Sequence, residues 1–185
     1  MALDPVARIE KATAECGEAV KGIKADQLDD PTPCSDFTVE QLLQHLIGGL
    51  DMLRDAATGG KPGAPDAKVD PENFAKQYDE GRAKLLDVLK DPGVLGRTWS
   101  MPFGDMPGAM MAGIAFMEHL THAWDVRKAT GQPTSLPEGL VQECLDLVKP
   151  MDAMLRMPGV CGPAVAVPET APLTDQLVGF MGRQP

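Results

Sequence analysis

The sequence predicts an all-α protein in which helices pack as a bundle around one central helix, with residues 1–185 forming a single domain. At 185 residues the chain is long enough to bury a sizeable core. Hydrophobic residues make up 43% of the chain, but aromatic residues only 4%, while methionine occurs eleven times. A core of Leu, Ala, Val and Met suits packed helices better than a sheet. Apolar residues also recur at helical spacing in several stretches.

The central helix is predicted at residues 108–130, GAMMAGIAFMEHLTHAWDVRKAT. Pro107 precedes it, and Gly131 follows where a left-handed C-terminal cap is wanted. Apolar and small residues of one face recur at helical spacing and are predicted to point inward: Ile114, Met117, Thr121 and Trp124.

Two helices are predicted before it in the first third of the chain. Asp4 can cap, and Pro5 can open, a helix that runs to about Ile23. Thr38 and Gln41 have the spacing of a capping box, so a second helix is predicted to start at Thr38.

The middle of the chain alternates between loops and a third helix. Residues 58–70, TGGKPGAPDAKVD, are predicted to be a loop that either crosses the bundle or covers a site. The third helix is predicted from Asp70 to about Lys90. Residues 94–106 are expected to be extended, forming either a short strand or an irregular crossover.

The C-terminal part is predicted to be a fifth helix followed by an irregular tail. The helix spans residues 137–156, and Pro150 is expected to kink or break it. The Pro-rich tail contains one short helical piece at residues 173–181.

Charge and cysteine content exclude several classes. The net charge of −10 argues against a nucleic-acid or anionic-membrane surface. No apolar run is long enough to span a bilayer, and the first residues do not resemble a signal peptide, so a cytoplasmic location is expected. The four cysteines form no Cys-x-x-Cys motif and are expected to be buried or idle thiols. Cys34 precedes the second helix, where the helix dipole can lower a thiol pKa, although a small packed residue is the alternative.

A candidate site lies on the central helix. Glu118 and His122 are four residues apart and therefore share one face. Such a pair can grip a metal ion, but it is also typical of a solvated ion pair. His119 faces about 100° away and is a poor third ligand. The His-Glu-x-x-His motif of zinc proteases is absent.

Three segments together carry a family resemblance. They are residues 31–45 (PTPCSDFTVEQLLQH), residues 118–125 (EHLTHAWD) with 129–133 (ATGQP), and residues 162–165 (GPAV) with 181–183 (MGR). In this order they resemble the actinobacterial metal-binding branch of the DinB/YfiT-like superfamily, which includes the N-terminal domain of mycothiol-dependent maleylpyruvate isomerase. The resemblance covers essentially the whole chain. Phe37 stands where that branch usually has Trp, which is expected to change packing only.

The resemblance implies a four-helix bundle, a single DinB-like domain, with a divalent metal at one end of its core. The ligands matched by motif are His45, Glu118 and His122. Three protein ligands leave one position for water or substrate. Zinc is the default metal for this set, with nickel, iron and manganese as alternatives. Asp125 is either an acceptor for a ligand imidazole or a surface or capping carboxylate.

The function implied is that of a thiol-dependent transferase or isomerase. A metal-bound thiol, mycothiol in the relatives, would lose its proton and attack an electrophilic small molecule. The alternative is a non-catalytic protein that binds a small molecule or holds a structural metal. Arg97 and Arg127 are candidates for a substrate carboxylate by chemistry alone. A homodimer is expected, because related bundles often pair through helices.

Overall fold

The computed structural model describes residues 3–34, 37–65, 67–157 and 159–185. Residues 35–36 of the segment that carries the family resemblance, residue 66 of the predicted loop and residue 158 of the predicted tail lie outside this range. The described residues are mostly helical, as predicted. The helices are α1 (Pro5–Lys21), α2 (Val39–Ala57), α3 (Phe74–Val88), α4 (Gly108–Ala129), α5 (Glu138–Val148), α6 (Asp152–Leu155) and α7 (Leu173–Phe180). Two strands, β1 (Thr98–Met101) and β2 (Gly104–Pro107), form an antiparallel hairpin.

The four longest helices pack against one another in a closed order. Helix α1 contacts α4 and α3, while α2 contacts α3 and α4. Helix α4 also contacts α5, α7 and the hairpin. Among the described helices, none is both long enough and apolar enough to cross a membrane.

Helix α4 is central because it is buried on almost every side. Of the four residues predicted to point inward, Met117, Thr121 and Trp124 are buried, whereas Ile114 is half-buried. Other residues around the same helix, including Ala112, Phe116 and Leu120, are also buried. A helix apolar all round is one enclosed by other elements.

Local sequence signals fix the helix ends as predicted. The Asp4 carboxylate accepts hydrogen bonds from the backbone N–H groups of Val6 and Ala7, both at 3.0 Å. At the start of α2, the Gln41 N–H donates to Thr38 Oγ1 (3.3 Å), and the Thr38 N–H donates to Gln41 Oε1 (2.9 Å). Gly131 ends α4 with a φ of +70°, a conformation that glycine adopts without strain.

The third helix begins later than predicted, at Phe74. The Asp70 carboxylate accepts hydrogen bonds from the Glu72 N–H (3.0 Å) and the Asn73 side-chain amide (2.9 Å). These bonds stabilise a turn ahead of the helix. The predicted fifth helix is broken at Pro150, as expected, because α5 ends at Val148 and a 3₁₀ turn at Lys149–Met151 leads into α6.

The segment of residues 94–106 was expected to be extended, but Val94–Gly96 forms a 3₁₀ turn. The rest forms the hairpin of β1 and β2, so the strand alternative is correct there and a small sheet supplements the all-α prediction. Trp99 of β1 is buried, and its Nε1–H donates to the Val94 carbonyl at 3.0 Å. A Cβ atom at Gly108 would lie 2.6 Å from that nitrogen, so only glycine lets Trp99 pack against the first residue of α4. The hairpin is therefore held tightly against the start of the central helix.

Candidate metal centre

The structure brings His45, Glu118 and His122 together. Helix α2 supplies His45, and one face of α4 supplies the other two. The His45 Nε2 lies 2.9 Å from Glu118 Oε2, and the His122 Nε2 lies 3.4 Å from the same oxygen. One ligand atom from each residue lies within 4.8 Å of the others. The three residues thus converge on one point between α2 and α4.

This donor set fits a divalent metal. Zinc binds nitrogen and oxygen ligands at about 2.0–2.2 Å, which places neighbouring ligand atoms of a tetrahedron about 3.4 Å apart. The observed separations of 2.9 and 3.4 Å are close to that spacing. Two imidazoles and one carboxylate are also the residue types that catalytic zinc sites use when one position stays open.

Asp125 and Arg183 hold the His122 ring from behind. The His122 Nδ1–H donates to Asp125 Oδ2 at 2.8 Å. The Arg183 guanidinium donates to both oxygens of that carboxylate, at 2.9 and 3.2 Å. When the His122 ring is neutral and its proton sits on Nδ1, Nε2 carries a free lone pair. This nitrogen faces Glu118, within the cluster formed by His45, Glu118 and His122. Asp125 is fully buried, so the surface alternative for this residue is wrong.

The sequence alone predicts no role for Arg183, although residues 181–183 are part of the family resemblance. Arg183 is 58 residues from Asp125, and no spacing rule links the two. Its hydrogen bond to the Met181 carbonyl at 2.7 Å fixes the guanidinium beside Asp125. A basic residue in an apolar C-terminal segment was the one available signal.

The carboxylates of Asp125 and Glu118 determine the charge of His122. Burial lowers the pKa of His122, but hydrogen bonds to Asp125 and Glu118 outweigh it and raise the pKa to about 9. Burial raises the pKa of Glu118, but hydrogen bonds from His122 and His45 hold it well below its usual value. Glu118 is therefore ionised at neutral pH, and a metal must displace the proton on His122.

Cys34 lies near the cluster, and with His122 and Asp125 it forms a second set of atoms that could hold a metal. Both Asp125 oxygens already accept hydrogen bonds from Arg183, and His122 donates to one of them. The buried positive charge of Arg183 also disfavours a cation at that point. The first set is therefore the better metal site.

His119 lies outside the cluster, as expected from its position on the helix. Its Nδ1–H donates to the Ala115 carbonyl at 2.9 Å, and its Nε2 has no hydrogen-bond partner among the described residues. Burial lowers the pKa of His119 to about 4, so the ring is neutral. Phe37 stacks on the His45 ring, with centroids 5.4 Å apart, so the residue at position 37 touches the predicted site.

A cavity of about 220 Å³ lies beside the cluster, and both His45 and Glu118 line it. Its walls come from α2, α4, the hairpin turn and the loop of residues 58–70, which contributes Pro65. The loop is attached to α2 by a hydrogen bond from the Ala67 N–H to the Gln44 carbonyl at 3.2 Å. A more open depression of about 530 Å³, lined by residues of α1 and α5, contains no histidine or cysteine and lies away from the cluster.

Neither arginine considered for a substrate carboxylate lines the cavity. Arg97 pairs with Asp91 on the surface. Arg127 pairs with Glu15 and donates to the Ser135 carbonyl at 2.9 Å. Both guanidinium groups are therefore engaged elsewhere.

Comparisons with known proteins place the site in context. Residues 9–127 match the family model of the mycothiol maleylpyruvate isomerase N-terminal domain. An uncharacterised protein of Mycobacterium tuberculosis, found in strains CDC 1551 / Oshkosh and ATCC 25618 / H37Rv, is 31% identical over 183 residues and 98% of both chains.

Solved structures show a similar fold. The crystal structures of mycothiol-dependent maleylpyruvate isomerase and of its histidine-to-alanine mutant superpose with a TM-score of 0.60 at 12% identity. The match covers 75% of this chain and 65% of the isomerase chain. At this identity the likeness shows the fold alone, and the matched part is less than two thirds of the isomerase.

Proposed function

The chain belongs to the family of mycothiol maleylpyruvate isomerase N-terminal domains, and we propose that it is a metal- and thiol-dependent transferase or isomerase. The observation that carries the proposal is the convergence of His45, Glu118 and His122 beside a largely apolar cavity, which His45 and Glu118 also line. The closed order of contacts among α1–α4 agrees with the four-helix bundle implied by the family resemblance. The predicted cytoplasmic location and homodimer stay predictions.

In this proposal His45, Glu118 and His122 hold one divalent ion, with zinc the default and nickel, iron or manganese as alternatives. Such an ion, when bound, supplies Lewis acidity that lowers the pKa of a small-molecule thiol. Mycothiol is the candidate thiol, because the family and the solved relative are named for it. The electrophile would occupy the adjacent cavity, whose walls are largely apolar.

The chain's own residues orient the ligands. Asp125 holds the proton of His122 on Nδ1, which keeps Nε2 directed at the cluster. Arg183 balances the buried charge of Asp125, so that the carboxylate stays ionised. Phe37 packs on the face of His45 and restricts its rotation. Preorganised ligands of this kind spare the reaction the cost of ordering them.

The alternative is a non-catalytic protein in which the metal only joins α2 to α4. It is favoured by the position of the cluster, because His45 belongs to one helix and the other two ligands belong to the other. A structural metal stabilises the fold without consuming a thiol. The two functions therefore predict different results in one assay.

The test is conversion of an electrophile by the metal-loaded protein in the presence of mycothiol. Mycothiol is mixed with a panel of electrophiles, and both the loss of electrophile and the loss of thiol are followed with and without protein, because a transferase consumes the thiol whereas an isomerase returns it. We expect the wild type to accelerate the reaction. In His45→Ala, which lacks one ligand, we expect the accelerated rate to fall by roughly a hundredfold or more. Unaccelerated conversion of every electrophile, combined with strong thermal stabilisation by metal, would favour the structural alternative.

A further inference from the structure

The cavity beside the cluster has a chemical character of its own. Its walls are largely apolar side chains, among them Met52, Leu53, Met111 and Ile114. Among the described residues that line it, none is lysine or arginine. His45 and Glu118, two of the three proposed ligands, also line it.

We propose that this cavity binds the electrophile and selects an uncharged, mostly apolar molecule about the size of one substituted aromatic ring. This inference rests on the proposed function and names its substrate class. An anion placed among these apolar walls would lose its hydration without gaining a cationic side chain. An uncharged ring loses little hydration energy and buries apolar surface.

The size of the cavity sets the size of the ligand. An apolar cavity of about 150 Å³ is known to hold benzene, so one of about 220 Å³ accommodates a ring with one or two small substituents. Phe103 at the hairpin turn lines the cavity and is 65% exposed. Its ring offers an aromatic surface against which a bound ring can pack.

One buried atom offers a hydrogen-bond partner to a polar group of the ligand. His119 lines the cavity and is only 3% exposed, yet its Nε2 has no hydrogen-bond partner among the described residues. Buried polar atoms in proteins are nearly always paired with protein, water or ligand. Since Nδ1–H of His119 already donates to the Ala115 carbonyl, Nε2 of the neutral ring is an acceptor. A ligand hydroxyl can therefore donate a hydrogen bond to Nε2.

This substrate class differs from that of the solved relative. Maleylpyruvate carries two carboxylates, and no cationic side chain among the described lining residues is available to bind them. Arg97 and Arg127 are held by Asp91 and Glu15 away from the cavity. Two proteins of similar fold would therefore bind electrophiles of different charge, a dicarboxylate in the relative and an uncharged molecule in this chain.

The experiment compares two probes that share a ring and a hydroxyl. These are 4-methylphenol, which is uncharged, and 4-hydroxybenzenesulfonate, whose anionic group is a weak metal ligand. Binding to the full-length, metal-loaded protein is measured by NMR titration. We expect the wild type to bind 4-methylphenol at least tenfold more tightly than the sulfonate. Equal or tighter binding of the sulfonate would overturn the inference.

Two variants localise the binding. A Cβ atom at Gly49 would meet no atom within 4 Å, and Gly49 lines the cavity, so Gly49→Leu is expected to reduce the free volume of the cavity. We expect at least a tenfold loss of 4-methylphenol binding. Gly139→Leu is the matched control, since this exposed helical glycine also has open space and lies outside the cavity. Unchanged binding in Gly49→Leu would contradict the assignment.

A third variant gives a gain that misfolding cannot imitate. Ile114 is half-buried on the cavity wall, so Ile114→Lys places a cation there. The preference should then move toward the sulfonate. Metal content measured in the same samples separates the two proposals. If the wild type holds no metal but still binds 4-methylphenol, only the proposed function is contradicted. If the wild type holds metal but does not bind 4-methylphenol, only this inference is contradicted.

Discussion

At the scale of single residues, His122 is the group on which the candidate site depends. It contacts Glu118 through Nε2 and Asp125 through Nδ1, so two carboxylates stabilise its protonated form. These contacts raise its pKa to about 9 against the opposing effect of burial. A metal and a proton therefore compete for Nε2.

Metal affinity should consequently depend on pH. Below the raised pKa of His122, binding must release one proton, so each unit of falling pH weakens affinity about tenfold. From about pH 8.5 down to about pH 7 we expect a decrease of roughly thirtyfold, measured by competition with a chelator of known pH dependence. Asp125→Asn removes one of the charges that raise the pKa and should flatten this dependence. An equally steep profile in Asp125→Asn would contradict the role of that carboxylate.

At the residue scale, spacing predicted geometry but not role. Helical periodicity predicted that Glu118 and His122 share one face, and the structure places their side chains 3.4 Å apart, whereas their role as ligands is implied by the family resemblance and stays a prediction. His45 came from the family resemblance, since nothing in its own surroundings distinguishes it from a rim histidine. Arg183 received no role, because its partner Asp125 is distant in sequence and only tertiary packing brings them together.

At the scale of elements, the start of α2 positions His45. The reciprocal hydrogen bonds between Thr38 and Gln41 fix where the helix begins, and His45 follows seven residues after Thr38, about two turns along it. The same segment places Phe37 against the His45 ring. A change in this cap therefore affects both stability and the site.

Thr38→Ala should lower the free energy of unfolding by about 1 kcal/mol, because it leaves a backbone N–H of the first turn without its side-chain acceptor. The measurement is urea unfolding followed by far-UV circular dichroism. Thr38→Ser keeps the hydroxyl and should retain most of the stability. Equal destabilisation by both variants would show that the methyl group of Thr38, rather than its hydrogen bond, matters.

Helix positions were predictable because caps and apolar periodicity are local signals. The third helix was placed too early because the Asp70-Pro71 pair looks like a helix start, whereas Asp70 stabilises a separate turn. The hairpin was left open between strand and crossover. A four-residue strand is too short for periodicity to decide, and its stability comes from the burial of Trp99.

At the scale of the whole molecule, one apolar core runs through the described helices and includes two of the cysteines. Cys16 and Cys144 are both fully buried. Burial raises the pKa of each thiol to about 12, which suppresses the reactive thiolate. Cys34 and Cys161 are only partly buried.

Alkylation should follow this difference. In the native protein, iodoacetamide should modify Cys34 and Cys161 well before Cys16 and Cys144, whose modification should require unfolding. Peptide mass spectrometry after timed exposure measures each site, and the same reaction in urea is the control. Rapid native labelling of Cys16 would show that the core opens far more readily than its packing indicates.

The fold class could be predicted from composition and periodicity, because these average over the whole chain. The cavity could not, because its walls come from α2, α4, the hairpin and the loop of residues 58–70. Residues such as Gly49, Phe103 and Pro65 carry no sequence signal of a shared site. Their proximity follows only from the packing of the complete molecule.

The most direct test of the account is metal content of the purified protein by elemental analysis, beside His45→Ala and His122→Ala. If His45, Glu118 and His122 are the ligands, the wild type should hold about one equivalent of a divalent transition metal. Both variants should lose the metal and largely retain their helical content. Absence of metal from the wild type after reconstitution, or full occupancy in either variant, would contradict the assignment of His45, Glu118 and His122 as ligands.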